Sequence, residues 1–169
     1  MGLLSKIVFL DIDGVLNNVQ HAHWLHDHVA KAAGFGQPWE LDKGNFSRET
    51  VGWDDQNVHA LRCIIEETDA DIIISSTWRL GRRAPFFRQC FAAFGWEKAP
   101  VRGMTGVINE VGSIRGDEIN DFLSNVKTDR WVCLDDDGDF HPENNLVQTD
   151  VEIGLTMEDA EKAIEILNG

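Results

Sequence analysis

Three short apolar runs, Ile7 to Leu10, Ile72 to Ile74 and Trp131 to Leu134, govern what this sequence can build. Each is β-branched or aromatic, none alternates with polar residues, and each leads into a polar cluster: Asp11-Ile12-Asp13-Gly14, Ser75-Ser76-Thr77 and Asp135-Asp136-Asp137. A strand with one wet face would alternate, so these read as strands buried on both faces. Between and after them the 3.6-residue period predicts helices over about 54–68 (Val58, Leu61, Ile64, Ile65), 82–95 (Phe86, Phe87, Cys90, Phe91, Phe94), 116–126 (Ile119, Phe122, Leu123, Val126) and 157–168 (Ala160, Ala163, Ile164, Leu167). Thr156 is placed as the N-cap of the last. Strands alternating with helices make a mostly parallel sheet covered on both faces, a three-layer α/β/α, doubly wound arrangement.

With 169 residues, 43% of them apolar, the chain reads as one domain, 1–169, whose core needs neither disulfides nor a structural metal. Residues 17–53 break the rhythm, being too many for a simple connection. They hold a His-rich predicted helix (His21 to Ala33), then Gly34, Gly36, Pro38 and Gly44 as breakers, with Trp24, Trp39 and Trp53. We read this stretch as a small cap inserted above the sheet after the first strand. Cys63, Cys90 and Cys133 are odd in number and set in apolar surroundings, so buried free thiols are expected. The run Leu3 to Leu10 contains Lys6, is too short to cross a bilayer and meets Asp11 without a cleavage site, which points to a cytoplasmic protein.

Fifteen basic against 29 acidic side chains give a formal charge of −14, which excludes an indiscriminate nucleic-acid or anionic-membrane binder. One stretch departs from this acidity. Arg79, Arg82, Arg83, Arg88, Lys98 and Arg102 stand against Glu97 alone. This is either a basic strip able to engage a second phosphate or a nucleotide backbone, or a solvated helix face.

The chemistry lies in the polar clusters. Asp11 and Asp13 end a buried strand, where open α/β sheets place their ligands, and Gly14 frees the chain to turn. If the first and third runs are central and parallel, four or five carboxylates converge. Like charges about 4 Å apart repel by roughly 4 kcal/mol at an effective dielectric near 20. Such a cluster needs a cation, and oxygen-only ligands favour Mg²⁺. The hydroxyls and backbone N–H groups of Ser75-Ser76-Thr77 suit phosphoryl oxygens and equally suit capping of a following helix. Trp78 and Arg79 beside them are candidate substrate contacts, and Arg115 can neutralise both phosphate and carboxylates. His21, His23, His26 and His28 match no standard zinc spacing, since helical residues two apart point in different directions. A substrate-facing role for them stays open.

The ordered pattern strand-DxDG, strand-Ser/Thr, basic residue, strand-DD resembles the haloacid dehalogenase (HAD) superfamily over nearly the whole chain. The resemblance implies a HAD-like Rossmannoid fold and a Mg²⁺-dependent phosphatase working through an aspartyl-phosphate. Asp11 would attack phosphorus, and Asp13 would protonate the leaving group and then activate water. Ser76 and the Thr77 backbone N–H would hold the phosphoryl group, and Arg115 would stand in for the usual Lys. Asp135 and Asp136 would hold Mg²⁺ with Asp11 and the Asp13 carbonyl. Ser76 is favoured over Ser75 because four strand residues then precede it, while Asp137 and Asp139 leave the ligand pair open. The insertion point resembles the class with a small cap directly after the first motif.

Within the superfamily, Ser-Ser-Thr-Trp-Arg, Arg115-Gly116-Asp117-Glu118-Ile119 and the tail from Leu146-Val147-Gln148-Thr149-Asp150 to Gly154-Leu155-Thr156 are similar to the HAD modules of bacterial and phage nucleic-acid repair proteins. The expected substrate is therefore a nucleotide or a 3′-phosphorylated nucleic-acid end, with a small phosphorylated metabolite as the alternative. A non-catalytic phosphate-binding module, such as a receiver-like domain, is the competing class. Receivers carry their phosphorylated Asp on a middle strand, where this chain has Ser-Ser-Thr.

Overall fold

The computed structural model describes residues 4–28 and 38–169. Five parallel strands form one open sheet: β1 (Lys6–Leu10), β2 (Asp71–Ile74), β3 (Val101–Met104), β4 (Arg130–Asp135) and β5 (Leu146–Gln148), in the order β3-β2-β1-β4-β5. The three runs singled out in the sequence are the three central strands. Val8, Leu10, Ile72, Ile74, Val132 and Leu134 point to one face, whereas Ile7, Phe9, Ile73 and Cys133 point to the other. Both faces are covered, which is why no alternation marks these strands.

Six helices are described: α1 (Val19–His28), α2 (Arg48–Val51), α3 (Asp55–Thr68), α4 (Ala84–Ala92), α5 (Arg115–Asn125) and α6 (Met157–Asn168). The path β1-α3-β2-α4-β3 steps outward across the sheet, and α5 then carries the chain back to β4 on the far side of β1. Right-handed crossovers put α3 and α4 on one face and α5 on the other when the direction of travel reverses. The buried side chains agree. Leu61, Ile64, Phe87, Phe91, Ala160 and Leu167 of α3, α4 and α6 share one core, and Ile119 of α5, with Phe122 and Leu123, covers Phe9 on the opposite face. Thr156 caps α6 by accepting from Asp159 N, 3.2 Å.

The two edge strands were not legible. Val101-Arg102-Gly103-Met104 is interrupted by Arg and Gly and is mostly uncovered, and Leu146–Gln148 has only three residues. The predicted helix over 82–95 runs from Ala84 to Ala92, because Arg83 is extended and Pro85 stands in the first turn.

Of residues 17–53, the described parts are α1, a 3-10 turn (Pro38–Lys43) and α2. Residues 29–37, including Gly34, Gly36 and the end of the predicted His21 to Ala33 helix, lie outside the described residues. Asn18 anchors the start of α1. Its Oδ1 accepts from His21 N (2.7 Å), and its Nδ2 donates to Asn57 Oδ1 (2.8 Å) and Asp54 Oδ2 (3.0 Å). Leu41, Val51 and Trp53 join the main core. The three thiols are free, with Cys90 and Cys133 buried and Cys63 only partly covered beside His59. No helix among the described residues is long and apolar enough to cross a membrane.

Candidate active site

Register builds the site. Leu10 pairs with Leu134 on β4 and with Ile74 on β2, so Asp11, Asp135 and Ser75 leave the sheet side by side. Asp11 N donates to Leu134 O (3.0 Å) and Ser75 N to Leu10 O (2.9 Å), which carries the ladder one residue past the strands. The connections diverge around β1, and at such switch points open sheets bind ligands.

Carboxylate oxygens of Asp11, Asp135 and Asp136 all lie within 4.8 Å of one another. Burial pushes the Asp11 carboxyl up to about 6, against the opposing pull of the Ser76 hydroxyl and of Arg115. Asp135 is pushed up to about 8, by burial first and then by repulsion from Asp11. Asp135 Oδ1 accepts from Asp137 N (3.0 Å), but Oδ2 is buried with no hydrogen-bond partner. A buried carboxylate oxygen with nothing to accept from is costly. The orphaned oxygen and the all-oxygen donor set fit a hard divalent cation held by Asp11, Asp135 and Asp136.

Gly14 is what lets the Asp136 side chain come this close. Its φ is +76°, and a Cβ there would lie 2.4 Å from Asp136 Cγ. Thr149, which the sequence marked only as part of the tail, ties the two acidic turns together. Its Oγ1 donates to Gly14 O (2.7 Å) and its N to Asp135 O (2.9 Å). Asp139 stands outside the cluster, its Oδ2 accepting from Arg115 N (3.1 Å) at the start of α5.

Of the two serines, Ser76 sends its hydroxyl to Asp11, whereas Ser75 contributes its carbonyl to Arg79 and Arg115. Ser76 Oγ also accepts from Trp78 N (3.3 Å), so capping and proximity to Asp11 coincide. Thr77 opens the 3-10 turn Thr77–Arg79, where a first-turn N–H has no partner within the turn. Arg115 Nε lies 3.8 Å from Asp135 Oδ2, and its Nη1 reaches Ser75 O and Glu118 Oε2 (3.2 Å).

Two expected substrate contacts also have partners within the chain. Arg79 is buried, and all five of its N–H groups are spent: on the carbonyls of Ser75 (2.7 Å), Ser76 (2.8 Å), Thr105 (3.1 Å) and Gly106 (3.1 Å), and on Glu118 Oε2 (2.7 Å). It fastens the end of β2 to the end of β3 and also lines the cleft beside Thr77 and Arg115. Trp78 is 5% exposed and donates its indole N–H to Asp13 Oδ2 (3.1 Å), while Asn17 Nδ2 donates to Asp13 Oδ1 (2.7 Å). Asn17 carried no signal in the sequence beyond its nearness to the first motif, and Glu118 stood within the Arg115 to Ile119 motif without a role of its own.

Most members of the expected basic strip have partners within the chain. Arg79 pairs with Glu118, Arg82 with Asp42 and Arg102 with Asp71, and Arg88 donates to Val101 O. The histidines do not converge either. His21 and His28 stack on Trp24, and His26 lies beside Asp27. Among the described residues the aspartate trio is the one group arranged for a metal. Next to Arg115 and Thr77 opens a cleft of about 260 Å³, with Leu80, Val107, Ile108 and Ile114 on its walls and Ser113 and Asp139 as further polar groups.

No curated protein and no solved structure matches the chain. Residues 7–160 match the family described as the HAD domain in Swiss Army Knife RNA repair proteins. That span contains β2 to β5, all of β1 but its first residue, and the whole carboxylate site, and the chain belongs to this HAD family.

Proposed function

We propose that this protein is a Mg²⁺-dependent phosphomonoesterase that forms an aspartyl-phosphate on Asp11 and acts on a nucleotide or a 3′-phosphorylated nucleic-acid end. The observation that carries the reading is the seam between β1 and β4, where Asp11 and Asp135 are buried side by side and Asp135 Oδ2 lacks a hydrogen-bond partner. Mg²⁺ there would offset the carboxylate repulsion and the charge on the phosphoryl oxygens.

The residues divide the work as follows. An Asp11 oxygen forms a bond to phosphorus as the ester P–O bond breaks, and the Asp13 proton passes to the departing oxygen, giving an alcohol. Water then attacks phosphorus, Asp13 takes its proton, and Asp11 is released with inorganic phosphate. Ser76, the Thr77 N–H and Arg115 hold the phosphoryl oxygens, and Arg115 also opposes the charge of Asp135. The cleft beside Thr77 and Arg115 offers room for the alcohol portion.

The family's description supports a nucleic-acid end as substrate. One observation favours the alternative of a small phosphorylated metabolite: most of the arginines that would track a second phosphate are already paired. The three free thiols suit a reducing cytoplasm.

Phosphate release tests the reading. Purified protein with Mg²⁺ should hydrolyse p-nitrophenyl phosphate and, in a screen of sugar phosphates, mononucleotides and 5′- or 3′-phosphorylated oligonucleotides, prefer one class. Asp11→Asn should abolish turnover. Absence of release from every substrate, or equal release by Asp11→Asn, would defeat it.

A further inference from the structure

Asp13 is held from two sides by donors that come from different parts of the fold. Asn17 follows β1 in the same turn. Its Nδ2 donates to Asp13 Oδ1 (2.7 Å), and its Oδ1 accepts from Gly14 N (3.0 Å), so the side chain is fixed at both ends. Trp78 sits in the 3-10 turn after β2, and its Nε1 donates to Asp13 Oδ2 (3.1 Å). A carboxylate on a short side chain turns freely about its last bond unless something sets its plane. Here each oxygen has its own donor, and the two donors together set that plane.

The Trp78 ring is itself immobilised. Trp53, 1% exposed, lies against it at 6.1 Å between centroids and is wedged by Phe91 (4.9 Å) and Phe94 (5.9 Å) of the main core. Arg82 Nη1 donates to the Trp78 carbonyl (3.1 Å), while the same guanidinium pairs with Asp42. A Phe at position 78 would keep an aromatic ring against Trp53 but would carry no N–H. The indole N–H is the extra feature, and a buried indole N–H spent on an acid that would move protons has a chemical consequence.

We propose that Trp78 and Asn17 are positioning residues that hold Asp13 in the orientation needed to deliver its proton to the leaving oxygen. This rests on the function proposed above, in which Asp13 is the general acid. A carboxyl group offers about four lone-pair sites, so two donors leave the remainder for the transferred proton. General acid–base assistance is worth roughly 10²- to 10⁴-fold, and its value depends on placement. The need for a proton also depends on the leaving group. A poor one, such as an alkoxide, must be protonated as the P–O bond breaks, whereas a dinitrophenolate departs without help.

The experiment measures kcat/KM for a series of aryl and alkyl phosphates of rising leaving-group pKa, for wild type, Trp78→Phe and Asn17→Ser. The expected result is a loss in kcat/KM that grows along the series, reaching about ten- to a hundredfold for alkyl phosphates and remaining small for dinitrophenyl phosphate. Thermal unfolding checks that both variants fold, and Phe retains the ring against Trp53. A loss of equal size across the whole series, or none at all, overturns the proposal, because a merely structural role cannot distinguish leaving groups. Absence of turnover by wild type would instead defeat the function on which the proposal rests.

Discussion

Arg115 Nε lies 3.8 Å from Asp135 Oδ2, an oxygen buried without any hydrogen-bond partner. The nearest cation is thus just beyond ideal contact, and the guanidinium is held back by Ser75 O and Glu118. The site is therefore short of positive charge: one arginine faces a trio of clustered carboxylates.

Stability against pH follows from that shortfall. The folded-state values of Asp11, about 6, and Asp135, about 8, lie above the usual unfolded carboxylate value of about 3.9. Between those limits the folded protein keeps protons that the unfolded chain has released, so stability falls as pH rises. In metal-free protein the decline should begin near pH 4 and be complete above pH 8. Asp135→Asn removes one charge of the pair and should make the metal-free protein more stable at pH 8 by about 1–3 kcal/mol. Mg²⁺ at a hundred times its Kd should add about 2.7 kcal/mol to wild type and little to the variant. Thermal melts at pH 5 and 8, with and without Mg²⁺, check both. An equal Mg²⁺ response in the two proteins would count against the site.

Gly14 and Gly81 separate close approach from backbone conformation. Their φ values are +76° and +73°, yet a Cβ at 14 meets Asp136 Cγ at 2.4 Å while a Cβ at 81 meets nothing within 4 Å. Gly81→Ala should cost about 1 kcal/mol for the left-handed conformation alone. Gly14→Ala should cost about 2–4 kcal/mol and also weaken Mg²⁺ binding, because Asp136 must move. Denaturant unfolding and metal titration of both variants distinguish the two costs.

What the sequence discloses and what it hides divide along physical lines. The central strands are legible because burial on both faces leaves an unbroken apolar run, and Asp11 and Asp135 are legible because they end such runs. β3 is hidden because an edge strand tolerates Arg102 and Gly103. The structural part of Arg79 is hidden for a different reason. An arginine next to a phosphate-binding motif looks like a ligand contact, and nothing in the linear order reveals that the carbonyls of Thr105 and Gly106 fold back to meet it. Thr149 meets Gly14 from the other end of the chain, so only the structure connects them, and Asn17, although in the same turn as Asp13, has no motif position that marks it as the donor.

Arg79 also carries a stability prediction. Its guanidinium satisfies four carbonyls and shares Glu118 Oε2 with Arg115, in a site where its side chain is 4% exposed. Lys offers three donors from a single point and cannot span carbonyls from both strand ends. Arg79→Lys should therefore destabilise by about 2–4 kcal/mol. Arg102→Lys, at the exposed pair with Asp71, should cost less than about 0.5 kcal/mol. Glu118→Gln should fall between, at about 1–3 kcal/mol, and should raise KM for a phosphomonoester by freeing Arg115. Comparable costs for Arg79→Lys and Arg102→Lys in chemical denaturation would contradict the assigned role.

Salt dependence tests how a nucleic-acid end would be gripped. Each phosphate neutralised by a lysine or arginine adds roughly 0.7 to the salt slope for a single strand. With Arg82, Arg88 and Arg102 engaged within the protein, the groups at the site left for phosphate are Arg115 and the Ser76-Thr77 turn. The slope of log kcat/KM against log salt for a 3′-phosphorylated oligonucleotide should then be about −1, close to that for the matching 3′-mononucleotide. KM should also improve by less than about threefold from mononucleotide to decamer, since added phosphates meet a surface that is acidic overall. A slope steeper than about −3, with affinity climbing with length, would show a backbone-tracking surface and would return Arg83 and Lys98 to the binding site.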